Sequence, residues 1–226
     1  MERFLEAGFQ RLYPVNPREA EILGVEAYPA VRDILEPVDL ALVLAPPRAV
    51  KDAVKECAAC GVKGIAVITG SVGEGSEREA REILEIARDA GSRIIGPNCL
   101  GVYCPASRLP YPMRPSMESG SVGVISQSGS FADLLTLIAS ENGVRFSKAV
   151  SCGNELDLNA VDFLEYLGED PDTSIIVAYL EGIKEGGRFY RLARDISKSK
   201  PIVVWKCGAT TAGSRAAVSH TGALSG

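Results

Sequence analysis

Three short stretches of this 226-residue chain carry side chains that could act together on a phosphoryl group. His220, the only histidine, sits in Ser219-His220-Thr221-Gly222-Ala223, past the end of an apolar run. An imidazole is one of the few side chains that can accept a phosphoryl group near neutral pH and pass it on, and flanking glycines let its loop move. Glu181 follows another apolar run, in Tyr179-Leu180-Glu181-Gly182-Ile183. A carboxylate beside an imidazole fixes its tautomer and favours its cation. Ser126-Gln127-Ser128-Gly129-Ser130 lies where a strand pattern gives way to a helical one. Backbone N–H groups at a helix start, with hydroxyls and a close-approach glycine, form an anion site suited to phosphate. Each feature also has a plainer reading: a structural histidine, a solvated strand-end glutamate, and a serine N-cap with a glycine turn. The chain has neither a Gly-Lys-Ser/Thr phosphate loop nor a Gly-x-Gly-x-x-Gly fingerprint.

The elements that must position these residues alternate between two periods. Asp39 to Ala45 is a continuous apolar run, as in a strand buried on both faces of a parallel sheet. Val50, Val54 and Cys57 then recur at helical spacing, and Lys63 to Thr69 reads as strand again. Ala80, Ile83, Leu84 and Ala87 mark a second helix, opened by a Ser76 and Glu79 capping box, and Arg93 to Ile95 closes the unit. Strand and helix in alternation with short connections predict a doubly wound α/β sheet. Ligands bind beyond the carboxyl ends of such strands. The loops there, Val15 to Arg18, Ala45 to Pro47, Thr69 to Gly75 and Gly96 to Gly101, are expected to meet in one crevice suited to an extended, phosphorylated ligand such as a nucleotide-containing cofactor.

Pro105, Pro110, Pro112 and Pro115 then break the rhythm and read as an extended linker or lobe boundary, which places the boundary between two domains at 1–118 and 119–226. The second half restarts the pattern. Strands are expected at Ser121 to Ser126, Phe146 to Ser151, Ser174 to Leu180 and Pro201 to Trp205. Between them, helices should bury Phe131, Leu134, Leu135 and Ile138, then Ala160 to Leu167, then Phe189, Leu192, Ala193 and Ile196. Glu2 to Ala7 reads as a helix tail with no strand before it, and the chain stops at Gly226 in mid-loop, so both ends look cut.

Composition narrows the function classes. Lys and Arg total 24 against 29 Asp and Glu, a net charge of −5, which argues against a nucleic-acid binder. No run reaches the ~18 apolar residues of a membrane span, and no export signal opens the chain. Six cysteines accompany 46% hydrophobic residues, enough core to make disulfides unnecessary. Cys57 and Cys60 have redox spacing but fall near the C-terminal end of a helix, where the dipole raises thiol pKa. Reduced thiols predict a cytoplasmic protein.

Gly96-Pro97-Asn98-Cys99-Leu100-Gly101, Ser126 to Ser130, Tyr179 to Ile183 and Ser219 to Ala223, in this order, resemble the α subunit of nucleoside-diphosphate-forming acyl-CoA synthetases. That group includes ADP-forming acetate–CoA ligase and, more distantly, succinyl-CoA synthetase. The resemblance implies a Rossmann-type CoA-binding domain lacking its first strand and glycine-containing phosphate loop, then a flavodoxin-like domain lacking its C-terminal part. It implies that His220 is the phosphorylated residue, with Glu181 holding its ring and Ser128, Gly129 and Ser130 holding phosphate. Arg18, Ala45, Pro46, Pro47, Ile68, Thr69 and Gly70 would line the CoA site, and Asn98 and Cys99 the loop near its thioester end. The implied partner is an ATP-grasp β subunit or fused β domain in a hetero-oligomer. That partner brings ADP or ATP and the Mg2+ that accompanies the nucleotide. The alternative is a non-catalytic CoA-sensing module of the kind fused to protein acetyltransferases; the presence of both His220 and Glu181 favours the enzyme.

Overall fold

The structure, a computed structural model, describes residues 1–70, 72 and 77–208. His220 and the Ser76 capping box lie outside the described residues. A short helix, Glu2–Glu6 (α1), precedes a two-strand ribbon, Glu21–Ile22 (β1) and Val25–Glu26 (β2). Three parallel strands follow in the order β3-β4-β5: Leu40–Val43 (β3), Gly64–Val67 (β4) and Arg93–Ile95 (β5). Pro47–Ala59 (α2) and Glu77–Asp89 (α3) are the crossovers, and α2 begins with a proline, whose missing N–H a helix start does not need.

Strand alternation sorts the first sheet cleanly into two faces. Val43, Ile65, Val67 and Ile94 point at the helices and pack on Val50, Val54, Ile83 and Ala87. Leu42, Ala66 and Ile95 point the other way, into a core shared with the second half of the chain. The strand expected to be buried on both faces is only half-buried along most of its length, because β3 ends the three-stranded sheet and is paired on one side.

The second sheet has the order β10-β9-β7-β8-β6. Its parallel strands are Ser119–Ser126 (β7), Phe146–Ser151 (β8), Ile175–Leu180 (β9) and Ile202–Lys206 (β10), as the pattern predicts. Gly101–Tyr103 (β6) joins from the first half and runs antiparallel to β8. The proline-rich segment is not a free linker. Tyr111, buried within it, donates to the carbonyls of Gly101 (3.1 Å) and Ala149 (3.2 Å), and its ring packs on Tyr103. Prolines exclude regular structure there, but buried tyrosines bind the strap to the sheet.

Helices cover both faces of the second sheet. Ala160–Glu169 (α5) and Gly186–Ile196 (α6) lie on the side shared with the first half, and Gly129–Glu141 (α4) on the other. Burial of α4 differs from expectation. It buries Ala132, Asp133, Thr136 and Ser140, while Leu134 and Ile138 are 46% and 50% exposed. Small side chains let the helix approach closely, and the buried hydroxyls of Thr136 and Ser140 donate to carbonyls one turn back. Apolar spacing was therefore right for Leu135, which packs on the core, and for Phe131, which stacks on Tyr179, but wrong for Leu134 and Ile138.

Candidate functional site

Parallel strands present their last residues at one end of a sheet, and the three loops beyond β3, β4 and β5 meet there. Thr69 Oγ1 donates to the Ala45 carbonyl at 2.6 Å, and Asn98 N donates to the Thr69 carbonyl at 3.1 Å. Gly70 lies against the Asn98 side chain. Pro46, Pro47 and Asn98 are exposed, whereas Ile68, Thr69 and Gly70 are half-buried. Arg18 is exposed in a separate loop, where its N–H donates to Asn16 Oδ1 at 2.9 Å; no described hydrogen bond joins it to the other three loops. Cys99 turns inward, 4% exposed, with its thiol toward the Val67 carbonyl at 3.3 Å. Burial pushes that thiol up to about 12, so it is not a nucleophile at neutral pH. Cys57 is likewise pushed up to about 11 by burial. Cys60, expected within the helix, is instead the exposed residue that caps α2.

The second sheet brings Ser126 to Ser130 and Glu181 to neighbouring strand ends, because β7 and β9 pair with Ser126 opposite Tyr179. Ser128 is the N-cap of α4, its side chain accepting from Phe131 N at 3.3 Å. The capping reading therefore holds, and the Gly129 and Ser130 N–H groups head a thirteen-residue helix. A Cβ on Gly129 would come to 3.0 Å from the Leu100 side chain, so glycine lets this turn sit close against the Gly96 to Gly101 loop without displacing Leu100. Glu181 is 4% exposed and thus not a solvated strand-end residue.

Gln127 joins these pieces. Its Oε1 accepts from Glu181 N (2.5 Å) and Gly182 N (3.0 Å). Its Nε2 donates to the Gly182 carbonyl (2.8 Å) and to Glu155 Oε1 (2.9 Å). Lys206 Nζ donates to the Glu181 carbonyl at 2.9 Å. Glu155 is 4% exposed; burial pushes its carboxyl up while the Gln127 and Ala160 N–H donors oppose this, and the net shift is upward. Residues 153–155 also reach the first half. Asn154 N donates to the Pro97 carbonyl at 2.8 Å, and Leu156 N to the Gly96 carbonyl at 2.8 Å. A carboxylate clamp stands behind them, where Asp157 accepts from Arg88, Arg93 and Ile94 N at 2.8 to 3.0 Å.

The expected site residues that are described thus form two adjoining groups, with Arg18 apart from both. Sequence reasoning offered Gly153-Asn154-Glu155 only as a lining of the same cleft, after another strand, and missed the role of Gln127 and Glu155 as connectors. The only signal was a glutamine inside a serine-glycine motif and an acidic residue two positions after a strand-end glycine. Among the described residues no group of three or more histidines, cysteines and carboxylates could hold a metal. No described helix is long and apolar enough to cross a membrane.

Comparison with known proteins adds independent information. Residues 1–105 match a family described as a CoA binding domain, and residues 119–226 one described as a succinyl-CoA ligase like flavodoxin domain. The chain is 42% identical over 219 residues to the α subunit of ADP-forming acetate–CoA ligase II of Pyrococcus furiosus, covering 96% of this chain and 48% of that one. It is 41% identical to ADP-forming acetate–CoA ligase I of Archaeoglobus fulgidus, covering 95% of this chain and 32% of that one. A solved structure of acetyl-coenzyme A synthetase 1 from Ca. Korarchaeum cryptofilum, in complex with phosphate and ADP, superposes with a TM-score of 0.90 at 37% identity over 100% of this chain and 50% of its own. The chain spans about half the length, or less, of these relatives.

Proposed function

The chain belongs to the nucleoside-diphosphate-forming acyl-CoA synthetases, aligning with their α subunit, and from that membership we propose that it is the CoA-binding and phosphohistidine-carrying part of such an enzyme. The reaction would interconvert acyl-CoA, phosphate and a nucleoside diphosphate with free acid, CoA and the triphosphate. A phosphate oxygen attacks the thioester carbonyl carbon, the C–S bond breaks, and CoA leaves as the thiolate. The acyl phosphate then gives its phosphoryl group to an imidazole nitrogen of His220, releasing the carboxylate. In the last step a terminal oxygen of the diphosphate attacks phosphorus and frees the imidazole. Acetate is the acyl group named for the Pyrococcus furiosus and Archaeoglobus fulgidus relatives and is the first substrate to test.

This chain's residues divide the work by chemistry. The α4 N-terminus, with Ser128, Gly129 and Ser130, would hold phosphate through backbone N–H groups and the helix dipole. Glu181 would orient the neutral His220 ring for attack on phosphorus and stabilise the positive charge that develops on it as the phosphoryl group is transferred. Ala45 to Pro47, Ile68 to Gly70 and Asn98 would line the CoA path, with Cys99 supplying backbone rather than thiol, and Arg18 would meet a phosphate of CoA. The nucleotide and its Mg2+ would belong to an ATP-grasp β subunit or fused domain.

What supports the reading is the Gln127 amide, which ties the helix-start loop proposed to hold phosphate to the backbone of buried Glu181, the residue proposed to hold the ring. The test uses the full-length chain with its ATP-grasp partner and γ-labelled ATP. Acid-labile, base-stable label on this chain, lost in His220→Ala, is the expected result. A chain that binds CoA but takes no label would instead be a CoA sensor.

A further inference from the structure

Glu155 has no part in the chemistry above, yet its placement is costly. It is a non-glycine residue at φ +56°, in the left-handed region, and its carboxylate is buried. Gly153, two residues earlier, is also at φ +56°, and a Cβ there would collide with the carbonyl oxygens of Pro97 and Asn98. The turn is therefore pressed against the first-half loop by backbone contact that tolerates no side chain. Lys184 Nζ locks it from the other side, donating to the Glu155 carbonyl at 2.6 Å and the Asn154 carbonyl at 3.2 Å.

All of this aims one oxygen. Glu155 Oε1 accepts from Gln127 Nε2 and from Ala160 N, the first residue of α5, both at 2.9 Å. An amide side chain can flip, exchanging its donor and acceptor ends at little steric cost. A flipped Gln127 would turn its NH2 toward the N–H groups of Glu181 and Gly182 and lose both bonds. Two acceptors at the Nε2 side oppose that flip: the Gly182 carbonyl at 2.8 Å, which moves with the segment being held, and Glu155 Oε1 at 2.9 Å, which is anchored separately on Ala160 N. We propose that Glu155 is a positioning residue for the phosphoryl-transfer site, locking the orientation of the Gln127 amide that in turn fixes the backbone of Glu181. Because residues 153–155 also rest on Pro97 and Asn98, the same lock refers Glu181 to the loop assigned to the thioester end of CoA. The proposal deepens, and rests on, the phosphohistidine reading.

The experiment uses the full-length chain with its ATP-grasp partner, following phosphorylation from γ-labelled ATP, CoA binding, and hydrogen exchange at the Glu181 and Gly182 amides. Glu155→Ala should slow labelling about 10- to 100-fold, the range expected for a displaced catalytic group, and speed exchange at both amides while CoA affinity stays within about twofold. Glu155→Gln keeps an acceptor oxygen and should recover most of the rate. Gln127→Glu should be as slow as Glu155→Ala, and combining it with Glu155→Gln, which restores a donor–acceptor pair, should regain part of the loss; these two decide the matter if the alanine variant does not fold. Normal labelling in both Glu155→Ala and Gln127→Glu, or unchanged exchange at both amides, overturns the lock. A wild-type chain that takes no label although its amides loosen as described overturns the phosphohistidine reading instead.

Discussion

Asp157 joins the two halves of the molecule through one carboxylate, 0% exposed as a side chain, facing two arginines that are half in solvent. Desolvation raises its pKa, but the donors from Arg93, Ile94 N and Arg88 outweigh this, and the net shift is downward. A depressed folded pKa adds stability that is complete above the unfolded value of about 3.9 and fades as pH falls toward the folded one. Asp157→Asn should therefore cost about 1.5–3 kcal/mol at pH 7, the range for hydrogen bonds to a charged group. Its Tm deficit relative to wild type should shrink below pH 4, and a deficit independent of pH would count against the clamp. Glu181→Gln should keep its Tm within a few degrees yet lower the rate of His220 phosphorylation by roughly 10²-fold, the lower end for a positioned acid–base group; quench-flow labelling measures it. Thiol chemistry offers a third check. With Cys57 and Cys99 pushed up by burial, an alkylating reagent at pH 8 should modify exposed Cys60 well before either, read by peptide mass mapping.

At the scale of elements, periodicity located strands and helices well but could not say which face each would use. The alternation from β3 to β5 and from β7 to β10 was legible because a parallel sheet demands apolar runs of strand length at regular intervals. The outward stripe of α4 was not, since Leu134 and Ile138 sit at spacing indistinguishable from a buried one and the real contact is made by Ala132, Thr136 and Ser140. Nor was β6, three residues whose role is set by an antiparallel partner fifty positions away. Of the site, the motif residues could be read from the sequence, whereas Gln127 and Glu155 matter only through bonds between loops distant in the chain. Gly153→Ala tests the tightest of these junctions. A positive φ together with collision against two carbonyls should cost about 2–4 kcal/mol in urea denaturation, with a shifted midpoint and an unchanged slope.

At the scale of the whole molecule, the two sheets share side-chain packing. Ala66, Ile95 and Cys99 from the first half lie in one continuous core with Phe163, Leu164 and Ile176 from the second. Unfolding should therefore be a single cooperative transition, and Leu164→Ala, which removes a fully buried side chain, should lower stability by about 2–5 kcal/mol while keeping one calorimetric peak. Two resolved peaks would mean that the halves melt separately.

A welded core of this kind settles which parts are free to travel. Enzymes that shield a reaction by swinging one lobe onto another need a seam that can open, and here the seam is filled with aliphatic side chains and pinned by the Asp157 clamp. If the proposed reaction holds, the block would work as an anvil: this shared core would keep the two halves from opening against each other, and a stroke between thioester and nucleotide would fall to a carrier segment or to an approaching partner.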